Sequence, residues 1–525
     1  MKKRYYYWVF VLLLALSACE PATSERTADV ELDYSKTGDV IDISKYKNKA
    51  VRVSGLKDKS AYILKNNPTS NAIYEGKSSA ITLNTLDSTS NYSRSSQQSE
   101  VTGFVPMPYL PAQNFKYRKT NTGVSTARSM SVSTALTERN VGDKKDFWID
   151  TTTGAEGSQW LKMNASVRAK GDHCYVWVDD EHWSAGEAEG VKVNQDVVNK
   201  LAAKFDFIYH LVVNVFGYER GGGESGDGGI DHDKRVSILL YDIDYDYVSP
   251  IAMSGVAGYF WSKDEYPDGD SGLEGARSNE AEMFYIDAPF TVRNPEGIYS
   301  TLAHEFQHMI NFNQKDGKPV PTWYNEMLSM LCEDIMTEHL NISFMNSVIG
   351  TRIPLFNSRY YDSGTTDWVG GMVSYSTAYT FGAFLVRNYG GVKLIAEMSR
   401  NKTGGIESIN EALVACGYAE TFDSVFREFS LALVRAESES LAGFNKALND
   451  VEYGDYKYTL DPFDLWSRRV NGGPCCFDFS DEKTHIRPYG NKIYSDSSWS
   501  NITDSIFFEV GNSSEDQIKT YLVIR

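Results

Sequence analysis

The feature that most constrains this chain is the pattern His-Glu-x-x-His at residues 304–308, inside the apolar run 300–311. Histidines four residues apart project from one face of a helix, so His304 and His308 can bind one metal ion without distorting the backbone. Glu305 would then lie beside a water molecule on that metal and could accept its proton. Histidine occurs only 8 times in 525 residues, which makes a chance match rare. The pattern predicts a buried helix that carries a zinc site.

A second predicted helix, over residues 322–334, supplies the third ligand. It follows the breaker segment 316–321, which contains two prolines, and Thr322 is placed to cap it. Glu326 falls on the second turn, and Glu333 lies seven residues later on the same face. We expect Glu326 to bind the metal and Glu333 to orient a ligand histidine through its other ring nitrogen. Three protein ligands leave one position for water, as in catalytic zinc sites.

At these residues the sequence resembles the hyicolysin family of secreted bacterial zinc metallopeptidases. The resemblance rests on residues 301–313, on Trp-Tyr-Asn-Glu at 323–326 and on Ser-Met-Leu-x-Glu-Asp at 329–334. That family is grouped with the glutamate-zincins, in which two histidines and one glutamate hold zinc. The resemblance implies an α+β zincin catalytic domain and a zinc endopeptidase that hydrolyses peptide bonds of proteins. Met327 departs from the family, which usually has glycine after the ligand glutamate.

Two alternative functions stay open at this point. The related zinc aminopeptidases carry a Gly-x-Met-Glu-Asn motif upstream of the metal helix, and its absence from this sequence favours cleavage within a chain. The second alternative is a non-catalytic surface-binding lipoprotein on the same scaffold. The presence of Glu305 argues against that alternative, because a binding protein needs no general base.

The resemblance also implies two further parts of the site. In zinc aminopeptidases a tyrosine of a Tyr-x-x-Gly segment stabilises the oxyanion, and Tyr379 begins such a segment here. A tyrosine that merely packs in a helical core is the alternative for Tyr379, and Tyr375 is the second choice for the oxyanion. Zincin folds also pair the extended substrate with an edge strand beside the metal helix. Residues 283–286 are the strand expected from that resemblance.

The N-terminus predicts export from the cytoplasm. The basic residues 2–4 precede an apolar run at 5–16 that is too short to span a bilayer and is typical of a signal peptide. The run ends in Leu-Ser-Ala-Cys, which resembles the lipobox of bacterial lipoproteins and implies a fatty-acylated Cys19. A plain secretory signal is the alternative. We expect an extracytoplasmic protein, lipid-anchored to a bacterial membrane at the periplasmic face or the cell surface, with no later transmembrane helix.

Composition and patterning indicate several domains. At 525 residues and 42% hydrophobic residues, the chain can bury more than one core. We expect an α+β protein with a signal peptide (1–19), a polar tether (20–46), a β-rich N-terminal domain (47–167), the peptidase domain (168–455) and a short β-rich C-terminal segment (456–525). A net charge of −18 argues against nucleic acid as a partner and leaves protein or peptide substrates and the membrane.

A group of acidic residues is a candidate for a second ion. Asp242, Asp244 and Asp246 alternate along the chain, with Asp231 and Asp233 nearby. Oxygen-rich groups of this kind can bind calcium, although the glycine turn and final glutamate of an EF-hand are absent. The prediction is Ca²⁺ as a candidate second ion beside Zn²⁺, with ordinary solvated carboxylates as the alternative.

Overall fold

A computed structural model of the chain describes residues 27–74, 81–83, 136–150, 160–248, 255–437, 441–479, 485–510 and 517–525. The expected signal peptide and Cys19 lie outside these residues. Within them, no helix combines the length and the apolar character needed to cross a bilayer.

Strands and helices both occur throughout the described ranges, which confirms the mixed α and β class. The strands are β1 (Val30–Asp33), β2 (Val40–Asp42), β3 (Lys49–Ser54), β4 (Ala61–Asn67), β5 (Ile73–Tyr74), β6 (Ile81–Leu83), β7 (Lys144–Asp150), β8 (Trp160–Lys170), β9 (Cys174–Asp179), β10 (Val236–Tyr241), β11 (Gly258–Phe260), β12 (Met283–Asp287), β13 (Leu448–Tyr453), β14 (Tyr456–Leu460), β15 (His485–Ile486), β16 (Gly490–Tyr494), β17 (Ile506–Val510) and β18 (Lys519–Ile524). The helices are α1 (Tyr34–Thr37), α2 (Gln195–Phe216), α3 (Ala288–Arg293), α4 (Pro295–Gln314), α5 (Thr322–Met336), α6 (Val348–Arg359), α7 (Gly371–Asn388), α8 (Gly391–Arg400), α9 (Gly405–Ala415) and α10 (Phe422–Ala432).

A six-stranded sheet in the order β11-β12-β10-β9-β8-β7 supports the metal-binding helices. Strands β9, β10 and β12 are parallel to one another, whereas β11 at one end and β8 and β7 at the other are antiparallel to their neighbours. Every residue of β9, β10 and β12 is buried, as expected for parallel strands that are covered on both faces. Helices α2 and α4 pack on one face, and an aromatic cluster that includes Trp177 and Tyr285 covers the other.

The helices beyond the sheet form one lobe around α5. Helix α2 begins after Asn194, whose side chain accepts a hydrogen bond from the Val197 N–H, and it ends at Gly217 with φ 98°. It packs against α4, which in turn packs against α5, and α7 packs against both α5 and α6. A single apolar core connects these helices, so the two metal-binding helices are held from several sides.

Strands from both ends of the chain form a second β unit. Strand β17 lies between β3 and β6 in one four-stranded sheet, and β18 lies between β4 and β2 in another. Apolar side chains of the two sheets share one core, which includes Val53, Ile63, Phe508 and Leu522. The N-terminal and C-terminal strands therefore depend on each other for burial.

The domain boundaries expected from the sequence differ from this pairing. Strands β7 and β8 extend the peptidase sheet instead of belonging to an N-terminal domain that reaches residue 167. Strands β1 and β2 lie in the range expected to be a tether, where they pair with β3 and β18. The C-terminal strands β16, β17 and β18 belong to the same sheets as the N-terminal ones rather than to a separate segment. The pairings with β16, β17 and β18 join residues far apart in the chain, so local patterns do not reveal them.

Candidate metal centre

Helix α4 carries the first two candidate ligands through the interior of the protein. Pro295 occupies its first turn, and the Asn294 side chain caps it by accepting a hydrogen bond from the Gly297 N–H. Every residue from Ser300 to Asn311 is buried, so this helix is enclosed on all sides. Histidines and a glutamate on such a helix require polar partners, because burying an unpaired polar group is costly.

The structure brings together His304, His308 and Glu326, which approach from α4 and α5. The Nε2 atoms of His304 and His308 are 3.1 Å apart. The Oε2 atom of Glu326 lies 3.2 Å from Nε2 of His304 and 3.4 Å from Nε2 of His308. The donor atoms of these three side chains all lie within 4.8 Å of one another. In the described part of the chain, they form the group of His, Cys, Asp or Glu side chains that could hold a metal ion.

The geometry of these three atoms fits a tetrahedral metal ion. A zinc ion with bonds of about 2.0–2.1 Å separates its ligand atoms by roughly 3.3 Å, close to the distances between these three side chains. Without a cation, burial lowers the pKa of His304, but the carboxylates of Glu326 and Glu333 outweigh that effect and raise it to about 10. The site therefore favours positive charge between the three side chains, which a metal ion would supply.

A second set of side chains fixes the orientation of both imidazoles. Glu333 Oε1 lies 2.8 Å from Nδ1 of His304, and its Oε2 accepts a hydrogen bond from the Ser300 hydroxyl at 2.8 Å. Ser329 Oγ lies 3.0 Å from Nδ1 of His308 and donates a hydrogen bond to the Gln307 side-chain oxygen at 2.5 Å. With Nδ1 of each ring donating, Nε2 keeps its lone pair for a metal.

Sequence reasoning included Glu333 but missed Ser329. Ser329 lies three residues after Glu326 and four before Glu333, so the same helical face that holds these glutamates also holds it. That spacing is the signal that could have identified it.

Glu305 lies beside the three candidate ligands and has one unused oxygen. Its side chain is buried, and Oε1 has no hydrogen-bond partner. The backbone N–H of Phe260 in β11 lies near this carboxylate and favours its charged form. Burial raises the pKa of Glu305, and the neighbouring His304 and His308 oppose that rise. A buried, positioned carboxylate with a raised pKa is suited to general-base chemistry.

The edge strand beside α4 is β11 and not the strand expected from the sequence. Residues 283–286 lie in β12, which pairs with β10 on one side and with β11 on the other. Strand β11 is the outer strand of this sheet and packs on α4: a Cβ atom built on Gly258 would lie 3.0 Å from Thr301 Cγ2. The sequence predicted β12 as the edge strand, but β12 lies one position inside the sheet. The short run 258–260 gives no clear strand pattern, so the sequence does not indicate β11.

The hydroxyl of Tyr379 is bound by a carboxylate outside the group of three ligands. It donates a hydrogen bond of 3.0 Å to Asp334, and the same carboxylate pairs with Arg387. Tyr375, one turn earlier on α7, lies nearer to the metal-binding side chains. Burial and then the carboxylates of Glu326 and Glu305 raise its pKa. The nearby carboxylates of Glu326 and Glu305 therefore favour Tyr375, the second choice from the sequence, and the oxyanion donor stays a prediction.

The alternating aspartates do not form a comparable group of donor atoms in the described part of the chain. Asp244 adopts φ 61°, and burial with the nearby Asp246 raises its pKa to about 6. Asp231 forms an ion pair with Arg139 at 3.6 Å, and Asp233 accepts a hydrogen bond from the Arg235 N–H. Calcium stays a prediction of the sequence that these contacts do not support.

Comparison with known proteins identifies the family. The profile described as peptidase M30 matches residues 158–465, which is more than half of the chain and includes all the side chains of the metal centre. The chain is also similar to the neutral metalloprotease ShpI of Staphylococcus hyicus, with 27% identity over 354 residues, or 63% of this chain and 72% of that protein. This chain therefore belongs to the peptidase M30 family and is a metallopeptidase.

Proposed function

We propose that this protein is a zinc-dependent endopeptidase of the glutamate-zincin type that hydrolyses extracytoplasmic proteins. The observation that carries the proposal is the convergence of three donor atoms, from His304, His308 and Glu326, beside the unpartnered carboxylate oxygen of Glu305. Zinc suits two imidazoles and one carboxylate, and three protein ligands leave a position open for water.

Each side chain of the centre has a separate role in this proposal. His304, His308 and Glu326 hold the ion, which supplies Lewis-acid polarisation and makes the attacking water more acidic. Glu305 takes the proton of that water and later delivers it to the amine that leaves. Glu333 and Ser329 keep the two imidazoles in the tautomer that points Nε2 at the ion.

Two neighbouring elements complete the proposed site. The Tyr375 hydroxyl stabilises the negative oxygen that forms on the attacked carbonyl, which is the role that sequence reasoning gave first to Tyr379. Strand β11 pairs with the extended backbone of the substrate, because it is the outer strand of the sheet and packs on α4, the helix that carries Glu305. An extended peptide on β11 would place a carbonyl beside the general base.

The test separates metal binding from proton transfer. Purified protein is expected to contain about one zinc per chain and to cleave N-terminally blocked peptides, which an aminopeptidase cannot. Glu305→Gln should keep zinc and lose roughly 10²–10⁴-fold in kcat, because the amide cannot accept the proton. Glu326→Gln should lose zinc as well, since an amide is a poorer ligand. Glu338→Gln, an exposed residue just beyond α5, is the matched control.

Each result has a definite meaning for the proposal. Absence of zinc after reconstitution would overturn it, and so would near wild-type cleavage by zinc-loaded Glu305→Gln. Cleavage only of peptides with a free amino terminus would replace endopeptidase with aminopeptidase.

We further propose that the mature protein is held at a bacterial membrane by a fatty-acylated Cys19. The support is the sequence Leu-Ser-Ala-Cys after a basic and then apolar N-terminus. Labelling of expressing cells with a fatty acid should mark the protein, and Cys19→Ala should abolish the label while Cys416→Ala keeps it. An unlabelled wild-type protein would contradict the anchor without affecting the enzyme assignment.

A further inference from the structure

Helix α6 places an arginine on its buried face. Ser347 caps this helix by accepting a hydrogen bond from the Gly350 N–H. The face that packs into the core carries Ile349, Arg352, Ile353 and Phe356, which follow the three- and four-residue spacing of an apolar helical stripe. Arg352 is only 4% exposed. A permanent positive charge therefore lies at a position where an apolar side chain is usual.

The guanidinium of Arg352 has little to compensate for its burial. Its NH1 contacts the sulfur of Met372 at 3.8 Å, which is a weak acceptor, and Nε has no hydrogen-bond partner. The guanidinium lies 5.6 Å from the centre of the Tyr375 ring. A buried charge without an ion pair is costly unless another group pairs with it.

The nearest carboxylates are already committed to the metal centre. Glu333 has the strongest favourable effect on Arg352, but its two oxygens are bound to Ser300 and to the Nδ1 of His304. Glu326 contributes more weakly and points at the two imidazoles. No carboxylate of the described residues forms an ion pair with Arg352, so its N–H groups can bind a ligand that enters the cavity.

Arg352 reaches the space that a substrate would occupy. One cavity is shared by Arg352, His304 and Glu305, and its remaining wall is mostly polar. Hydrogen bonds from Asn294 to Asn346 at 3.1 Å and from Asn346 to Glu296 at 2.9 Å connect the start of α4 to the segment before α6. These bonds hold the two walls of the cavity in place, so the position of Arg352 relative to the metal centre is fixed.

We propose that Arg352 forms a subsite for a carboxylate of the substrate, next to the peptide bond that is cleaved. The carboxylate comes either from an Asp or Glu side chain or from the C-terminus of the peptide. A guanidinium binds a carboxylate through two parallel hydrogen bonds, which suits its planar arrangement of donors. Glu305 and Glu333 also line the cavity, and both oxygens of Glu333 are engaged by Ser300 and by Nδ1 of His304. This inference rests on the proposed peptidase function and adds a substrate class to it.

The first experiment uses pairs of blocked peptides that differ only in charge. Each position around the cleaved bond is occupied by Asp or Asn, or by Glu or Gln, and a further pair ends in a free carboxylate or an amide. For the wild-type enzyme with zinc, kcat/KM should be at least about tenfold higher for one acidic member of a pair. The pair that shows the preference identifies a side chain or a C-terminus as the source of the carboxylate. Equal values for every pair would overturn the proposal.

The second experiment assigns the preference to Arg352. In Arg352→Gln the ratio between the two members of the preferred pair should fall to about one, and Arg352→Lys should keep part of it. Arg359→Gln, on the same helix but ion-paired with Asp362 at the surface, should leave the ratio unchanged. Zinc content and melting temperature are measured for each variant. A preference that survives in zinc-loaded Arg352→Gln would overturn the assignment.

A binding assay separates this inference from the proposed chemistry. Binding of the same peptide pairs to zinc-loaded Glu305→Gln is followed by calorimetry, with and without Arg352→Gln. Tighter binding of the acidic member that depends on Arg352 would support the subsite even if the wild-type protein cleaved no peptide. Cleavage without any charge preference in binding or rate would overturn the subsite and leave the peptidase function standing.

Discussion

Helix α7 borders two buried arginine–tyrosine pairs that differ in one respect. Near its C-terminus, Arg387 donates to both oxygens of Asp334 at 2.9 and 3.2 Å, and Tyr379 donates to the same carboxylate. Arg387 also donates to the backbone carbonyl of Asp461 at 2.7 Å. One turn before Tyr379, the ring of Tyr375 faces Arg352, whose guanidinium has no such carboxylate.

Burial alone does not distinguish a polar residue that stabilises the fold from one that could bind a ligand. The cluster of Asp334, Tyr379 and Arg387 satisfies its own charges and connects α5 to α7, so its contribution is to stability. Arg352 and Tyr375 are equally buried, but Arg352 lines a cavity with His304 and Glu305, and its Nε has no hydrogen-bond partner. Unsatisfied polar groups in a buried site indicate ligand binding, whereas satisfied ones indicate architecture.

The largest expected effect concerns the two arginines and the free energy of unfolding. Arg387→Met leaves Asp334 buried without its cation and should cost about 3–5 kcal/mol. Arg352→Met removes a buried charge that has no ion pair, so it should leave stability unchanged or raise it. Denaturant unfolding of both variants under the same zinc conditions measures the contrast. Equal losses of stability would show that Arg352 is a structural residue after all.

The second prediction separates the two tyrosines by activity. Tyr375→Phe keeps the ring beside Arg352 but removes the hydroxyl from the metal centre, so kcat should fall by about 10²-fold. Tyr379→Phe removes one hydrogen bond to Asp334 and should cost stability with little change in kcat for the folded enzyme. Rates with a blocked peptide and melting temperatures decide between them. The reverse pattern would restore Tyr379 as the oxyanion donor.

The smallest expected effect extends the contrast to buried carboxyl groups. Unlike Asp334, the side chains of Glu219 and Glu282 each have one oxygen without a hydrogen-bond partner. Burial raises the pKa of Glu219 to about 7 and that of Glu282 to about 8. Between their unfolded pKa values and these folded ones, the folded protein holds more protons than the unfolded chain. Stability should therefore fall as pH rises from about 5 to 8.

Glu282→Gln tests this pH dependence. Because glutamine carries no titrating proton, the variant should flatten the decline by on the order of 1–2 kcal/mol across the window. Unfolding by denaturant at pH 5 and pH 8 gives the slope for each protein, and Glu338→Gln is again the exposed control. Parallel slopes for wild type and Glu282→Gln would show that this carboxyl is ionised in the folded protein.

Local spacing carried most of what the sequence could predict about the centre. The pattern of His304, Glu305 and His308 requires only one helix, and Glu326 and Glu333 require only a second one. The choice between Tyr375 and Tyr379 could not be made in this way, because both lie on the same helix four residues apart. Which of the two tyrosines lies nearer to His304, His308 and Glu326 depends on the orientation of α7 about its own axis. Tertiary packing against α5 sets that orientation.

The order of strands was equally inaccessible from local pattern. Strand β12 has the longer apolar run and was expected at the edge, but the three-residue strand β11 pairs outside it. Likewise, the alternating apolar residues of the N-terminal strands indicated a β unit without indicating its partners. Those partners include β16, β17 and β18, which only the folded chain brings near.

That last pairing has a consequence for any processing of the chain. Val53 of β3 is opposite Ile506 of β17, and Ile63 of β4 is opposite Leu522 of β18. A protease that cut the backbone between β6 and β7 would therefore release no fragment. The nicked protein would remain a complex of two pieces, held by the backbone hydrogen bonds of two sheets until a denaturant separated them. For the same reason, the first sheet cannot close until synthesis has reached β17, and the second cannot close until it has reached β18.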